Sequence, residues 1–271
     1  MTYLSRIRIN PLREKSRLLL ASPHMMHGAV MHAIPDDPAN ERILWRLDAD
    51  NPHRPFLFAL TPTRPDWSHL IEQAGWPDAD GEHAAVRDYA PLLAQIAVGR
   101  EFAFRLTANP VQNTRTPISP STEQAEKTEK AKEAAGERQR SFRIGHRTAA
   151  HQLTWFLTRT QRWGFAIPDA HTDPPALGLD PHQGVEVSAA QEVRITARGR
   201  RSFTKKNGTS RVVLSTATFE GRLRITDATV FTERLLGGIG PAKSYGCGLL
   251  TLAPLPAPPL PSSGPGRGQG R

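Results

Sequence analysis

The chain is 271 residues long, 38% hydrophobic and 23% charged, with 24 prolines and 21 glycines. That is long for one domain and suits two small ones, provided the Pro-rich and charged stretches lie outside the core. A net charge of +9 and a pI near 10.3 point to a polyanionic partner, most often nucleic acid. The single cysteine, Cys247, excludes an intramolecular disulfide and a cysteine zinc site and fits a reducing cytoplasm. The longest apolar run near the N-terminus, Leu18–Ala21, is too short for a signal-peptide core or a membrane span, so no membrane partner is expected.

In chain order, Thr2–Ile9 alternates, with Tyr3, Ile7 and Ile9 on one face and Arg6 and Arg8 on the other, which predicts a strand with one wet face. Pro23 to Ala33 reads as a helix, with Ser22 as N-cap, Pro23 in the first turn and Pro35 as the stop. Glu41–Asp48 alternates through Ile43, Trp45 and Leu47, and Arg54–Thr61 reads as a buried strand. Pro65–Trp76 and Ala84–Ile96 offer helical pieces, and Glu101–Pro110 alternates through Phe102, Phe104 and Leu106. The resulting order, strand, helix, strand, strand, helix, strand, is that of a ferredoxin-like unit.

The second half repeats that order. Ser141–Ile144 is a short strand, and Thr148–Trp163 is a helix with Leu153, Phe156 and Leu157 at helical spacing. Gly184–Gly199 and Ser210–Thr226 form two strands joined around Asn207-Gly208, a hairpin dipeptide. Asp227 caps a helix through Leu236, and Gly246–Pro254 closes as a strand. The expected fold is therefore α+β, with two tandem ferredoxin-like (RRM-like) βαββαβ domains over residues 1–112 and 141–253. Residues 113–140, aromatic-free and nearly charge-balanced, read as a mobile insert, and the Pro/Gly-rich residues 254–271 as a disordered tail.

Three stretches could carry chemistry. Arg194 to Arg211 holds Arg194, Arg198, Arg200, Arg201, Lys205, Lys206 and Arg211 without one acidic residue. On a hairpin these charges would repel one another unless a phosphate backbone neutralised them. Leu235–Leu250 is glycine-rich but matches neither a dinucleotide fingerprint nor a Walker loop. It reads either as a tight helix-to-strand turn or as a phosphate cradle built from Gly238, Gly240, Lys243 and Ser244. The segment Ser22–Pro35 carries His24, His27 and His32. His24 and His27 share a helix face, whereas His32 points elsewhere. The His-Glu-x-x-His pattern is absent, so no metal is expected. Met25, Met26, Val30 and Ile34 are expected to face the core, leaving His24 and His27 free to exchange protons with ribose and phosphate oxygens. The stacking-aromatic strand motif of single-stranded RNA binders is missing from Glu101–Pro110.

With these features together, the chain resembles the CasE family of CRISPR repeat-processing endoribonucleases. The resemblance rests on the His-Met-Met-His helix, on Phe104–Val111, and on Phe219–Asp227 leading into Gly237–Pro254. It implies a protein that binds the hairpin of CRISPR repeat RNA (pre-crRNA) and cuts at the 3′ base of the stem. It further implies catalysis without a metal or other cofactor, a cyclic phosphate product, and retention of that product as a subunit among the other subunits of Cascade. In the resemblance the catalytic histidine falls on His27, a helper tyrosine of some members falls on His24, and a basic residue falls near His32. The basic hairpin falls on the element that reads the RNA stem. The substitution at His24 leaves a non-catalytic hairpin-binding subunit as the alternative.

Overall fold

The computed structural model describes residues 1–35, 42–79, 81–114, 142–170, 190–204 and 211–255. The first module runs β1 (Tyr3–Arg8), α1 (Glu14–Ala21), α2 (Pro23–Met31), β2 (Leu44–Asp48), β3 (Phe56–Thr61), α3 (Ser68–Ala74) and β4 (Ala84–Asp88). Its strands form an antiparallel sheet in the order β2-β3-β1-β4, so the first and third strands lie at the centre, as a ferredoxin-like unit requires.

A short helix, α4 (Ala90–Leu93), leads into the second module. There follow β5 (Glu101–Ala108), β6 (Val111–Thr114), β7 (Phe142–Gly145), α5 (Ala149–Leu157), β8 (Phe165–Ala166), β9 (Val193–Thr204), β10 (Arg211–Ile225), α6 (Ala228–Gly237) and β11 (Leu250–Ala253). The second sheet has the order β11-β5-β10-β8, and β9 extends it as a further partner of β10. With β5 as first strand, β8 and β9 as second, β10 as third and β11 as fourth, the arrangement of the first module recurs. The fold is thus α+β with two ferredoxin-like sheets.

The order of elements matches the expectation, but one strand belongs to the other sheet. Glu101–Ala108, expected to close the first module, opens the second, paired with β10 and β11. The alternating burial of β5 explains this, since Phe102, Phe104 and Leu106 join a phenylalanine-rich core with Phe156, Phe165, Phe219 and Phe231. The first module is closed instead by β4, within a stretch expected to be helical. As an edge strand, β4 needs backbone pairing on one side only, and its weak alternation hid it. Ser141–Ile144, expected to open the second module, overlaps β7, which pairs only with β6 in a separate ribbon. Helix α1 had no sequence expectation at all. It is held by Leu19 in the core and by the Ser16 hydroxyl, which donates to Ala74 O at 2.9 Å. The expected insert from 115, the Asn207-Gly208 turn and the tail from 256 lie outside the described residues.

The face of the first sheet turned away from its helices packs on the second module. Leu44 and Leu60 are buried in the same cluster as Leu106, Leu235 and Leu250, with Leu4 and Phe58 against them. Arg46, close by on β2, is 2% exposed and ties the two modules. Its guanidinium grips both Asp48 carboxylate oxygens at 2.7 and 2.9 Å and donates to the carbonyls of Arg105 at 2.9 Å and Leu249 at 3.0 Å. Four of the five N–H donors of the fork are matched, which offsets much of the cost of burying the charge. No helix among the described residues is long and apolar enough to cross a membrane.

Candidate active site and nucleic-acid interface

Helix α2 starts where the sequence requires. The Ser22 hydroxyl accepts from Met25 N at 3.4 Å, and Pro23 takes the first helical position. Met26, Val30 and Ile34 are buried. Met25, expected in the core, is 39% exposed, because it lies on the side of α2 that faces away from the sheet. His24 and His27 are both partly exposed, one helical turn apart. The His27 Nδ1 is buried and has no hydrogen-bond partner. Burial, with the neighbouring His24 charge second, holds the His27 imidazole below its ordinary value. Gly28, next to it, is exposed, and a Cβ there would meet nothing within 4 Å, so this edge of the helix is bare. His32 stands apart. It is exposed past the end of α2, edge-on to His69 at 5.2 Å, whose Nε2 contacts Ala29 O at 3.0 Å.

The glycine-rich loop packs its 3-10 turn, Lys243–Tyr245, against α2 and β2. Two of its glycines have positive φ and close approaches. A Cβ on Gly238 (φ 77) would fall 2.6 Å from Leu44, and one on Gly246 (φ 81) would fall 2.7 Å from the Trp45 ring. Both contacts join the loop to the first module's edge strand, so these glycines serve close packing. Gly240 approaches Trp155, the Lys243 ammonium donates to Gly237 O at 2.6 Å, and Ser244 is exposed. Burial, then Arg42 and Arg234, hold Lys243 below its ordinary value. Under α2 the loop closes a cleft lined by Pro23, Met26, Arg201, Leu214, Tyr245 and Cys247. Burial pushes the Cys247 thiol up to about 12, which keeps it protonated and inert.

The basic segment is part of a long two-stranded ribbon, with a register shift at Thr218/Phe219 that marks a bulge. Alternation divides its arginines between two faces. Arg201 turns toward the first module and donates to Leu20 O at 3.3 Å, while Phe203 on the same face meets Tyr245 edge-on at 4.8 Å. Arg198 turns the other way, donating to Gln152 Oε1 at 2.9 Å and to Arg147 O. Arg200, on the face of Arg198, is exposed, and Arg194 pairs with Glu220 at 3.6 Å. Lys205 and Lys206 lie outside the described residues, as does the side chain of Arg211, whose backbone starts β10.

The structure therefore brings His24, His27, Arg201 and the glycine-rich loop to one side of the ribbon, and Arg198 and Arg200 to the other. Among the described residues no three His, Cys, Asp or Glu converge closely enough to hold a metal ion. Sequence reasoning missed Arg46, Phe203 and Tyr245. Arg46 alternates with Trp45 and Leu47 and so looked solvent-facing; only packing between the modules buries it. Phe203 was visible as the lone aromatic in the basic run, but its partner was not.

A family model described as CRISPR associated protein matches residues 2–254. The chain belongs to this family. It is similar to "CRISPR-associated endoribonuclease Cse3" of Thermus thermophilus, 27% identical over 255 residues, covering 93% of this chain and all of the relative. It is also similar to "CRISPR system Cascade subunit CasE" of Escherichia coli, 28% identical over 215 residues, covering 78% of this chain and 89% of the relative. Among solved structures, Thermus thermophilus Cse3 bound to an RNA representing a pre-cleavage complex matches with a TM-score of 0.64 and 25% identity, over 93% of this chain and 99% of that one. The matched span takes in both ferredoxin-like sheets of this CRISPR associated protein, the histidine edge and the ribbon.

Proposed function

We propose that this protein is an endoribonuclease that binds the stem-loop of CRISPR repeat RNA, cuts at the 3′ base of the stem, and keeps the product as a subunit of Cascade. The observation that carries the reading is His27, a partly exposed imidazole with a buried, unpartnered Nδ1, on a helix that also presents His24 and abuts the glycine-rich loop beside the basic ribbon. Beside those basic groups, the exposed part of the imidazole can exchange protons with ribose and phosphate oxygens. The relatives named as an endoribonuclease and as a Cascade subunit support the same activity and partner.

The chemistry needs no metal. The ribose 2′-oxygen attacks the adjacent phosphorus, forming the O2′–P bond of a cyclic phosphate while the P–O5′ bond breaks. One group accepts the 2′-hydroxyl proton and another supplies a proton to the departing 5′-oxygen. His27 takes one of these roles, with its lowered proton affinity keeping it neutral near pH 7. His24 takes the other or contacts the phosphate. Arg200 and Arg201 of the ribbon, together with Lys205, Lys206 and Arg211, neutralise the stem's phosphates, while the loop of Gly238, Gly240, Lys243 and Ser244 supports α2 beside the RNA. Aligning the 2′-oxygen in line supplies much of the remaining acceleration.

The test is cleavage of a repeat hairpin by His27→Ala. Loss of roughly 10²–10⁴-fold in rate with retained binding supports the reading. A wild-type protein that binds the hairpin tightly without cutting it would instead make the chain a non-catalytic hairpin-binding subunit.

A further inference from the structure

Residues 142–168 and 193–219 contain no Asp or Glu. The first of these segments includes α5, which packs its Phe156 face on the second sheet and is flanked by Arg147 before it and by Arg159 and Arg162 after it. At its start the His146 and His151 rings lie 6.0 Å apart, and the Thr148 hydroxyl meets His151 Nδ1 at 2.8 Å. Arg147 is exposed beside them. At the far end Arg159 lies over the Trp155 ring at 5.1 Å and donates to Trp155 O, and the exposed Arg162 follows in the 3-10 turn Gln161–Trp163.

These positive groups act on one another. Burial, then His151 and Arg159, lower the proton affinity of His146, and Arg162 adds to the lowering of Arg159 that burial begins. Some arginines of the sheets are matched by acids, as Arg105 is by Asp50 at 2.6 Å and Arg222 by Glu192 at 2.6 Å. Among the described residues no carboxylate forms an ion pair with Arg147, Arg159, Arg162, Arg198 or Arg200. The row is continuous with the ribbon, because Arg198 binds both Gln152 of α5 and the Arg147 carbonyl.

We propose that the segment from Arg147 to Arg162, α5 with the arginines that flank it, is a second RNA-backbone contact surface, joined to the ribbon through Arg198 and separated from the histidine edge by the ribbon itself. It rests on the proposed function, since the polyanion is the same repeat RNA. Guanidinium groups fit phosphate oxygens in pairs, and phosphate is the neutralising partner that an unmatched row of arginines lacks. The RNA would then lie against both faces of the ribbon. The histidine edge provides chemistry on one side, and α5 provides affinity on the other.

The experiment uses the full-length chain with Arg147→Ala and Arg162→Ala combined, since neither guanidinium supports the fold by a hydrogen bond among the described residues. Binding of the repeat hairpin is measured over a salt series, alongside single-turnover cleavage at saturating protein. Losing two phosphate contacts should weaken binding about tenfold and flatten the slope of log affinity against log salt by about 1.5. The cleavage rate at saturation should not change. Unaltered affinity and slope would overturn the proposal. So would unaltered RNA binding combined with lost assembly into the complex, which would assign the surface to an acidic protein partner. Failure of His27→Ala to slow cleavage would remove the active-site reading and leave this surface standing.

Discussion

His27 owes its lowered proton affinity to where α2 puts it. Burial and the His24 charge hold its imidazole below the usual value near 6.5. Near that pH the folded chain binds fewer protons at this site than the unfolded chain does. The group's contribution to stability is therefore complete above the unfolded value and is lost as pH falls through the folded one. His24→Ala removes the like charge, so the proton affinity of His27 rises. The limb of the kcat/KM profile that reports His27 should then move to higher pH; a limb that stays in place or moves down would contradict the pairing. The pair was legible in the sequence because i,i+3 spacing fixes a shared helix edge. That Met25 lies outside was not legible, since a short helix packed against both α1 and a neighbouring loop leaves the width of its buried stripe to tertiary contacts.

At the scale of elements, capping signals were the most reliable guide. Ser22 and Asp227, the two residues expected to cap, each accept a backbone N–H at a helix start, and Thr148, expected as the first residue of its helix, caps that helix instead. Strand membership was less legible, because alternation shows that a segment is a strand without showing its neighbours. For that reason the pattern places Glu101–Ala108 in the wrong sheet, whereas Ala84–Asp88 reads as helical because its alternation is weak. The glycine-rich loop shows the same limit from the other side. Its pattern was visible, but the close approach to Leu44 and Trp45 that explains Gly238 and Gly246 lies across the module boundary. Gly246→Ala would force a side chain into left-handed backbone and against a rigid indole. It is expected to lower unfolding free energy by about 2–4 kcal/mol in a denaturant titration. A change below about 0.5 kcal/mol would show that the loop relaxes freely away from β2.

Over the whole molecule, the two sheets are held in register by the packed face of Leu44, Phe58 and Leu60 and by the buried fork of Arg46. The sequence revealed two modules but not their mutual placement, because residues that face another module look like residues that face water. Arg46→Ala would leave the Asp48 carboxylate, among the described residues, with the 3.5 Å contact to Arg105 and remove a donor from the carbonyls of Arg105 and Leu249. A loss of about 3–5 kcal/mol in unfolding free energy is expected, with thermal melting as the check. An unchanged melting temperature would mean that the apolar face alone holds the modules together.

The histidine edge meets the ribbon only because of that placement, and the central claim is that this edge cuts RNA through His27. The direct measurement is single-turnover cleavage of a repeat hairpin by the wild-type chain and by His27→Ala, each with and without EDTA, with binding followed in parallel. Cutting by the wild type regardless of EDTA, with the His27→Ala rate down roughly 10²–10⁴-fold at unchanged affinity, is the expected result. Cleavage by His27→Ala at the wild-type rate, or wild-type cleavage abolished by EDTA, would contradict it.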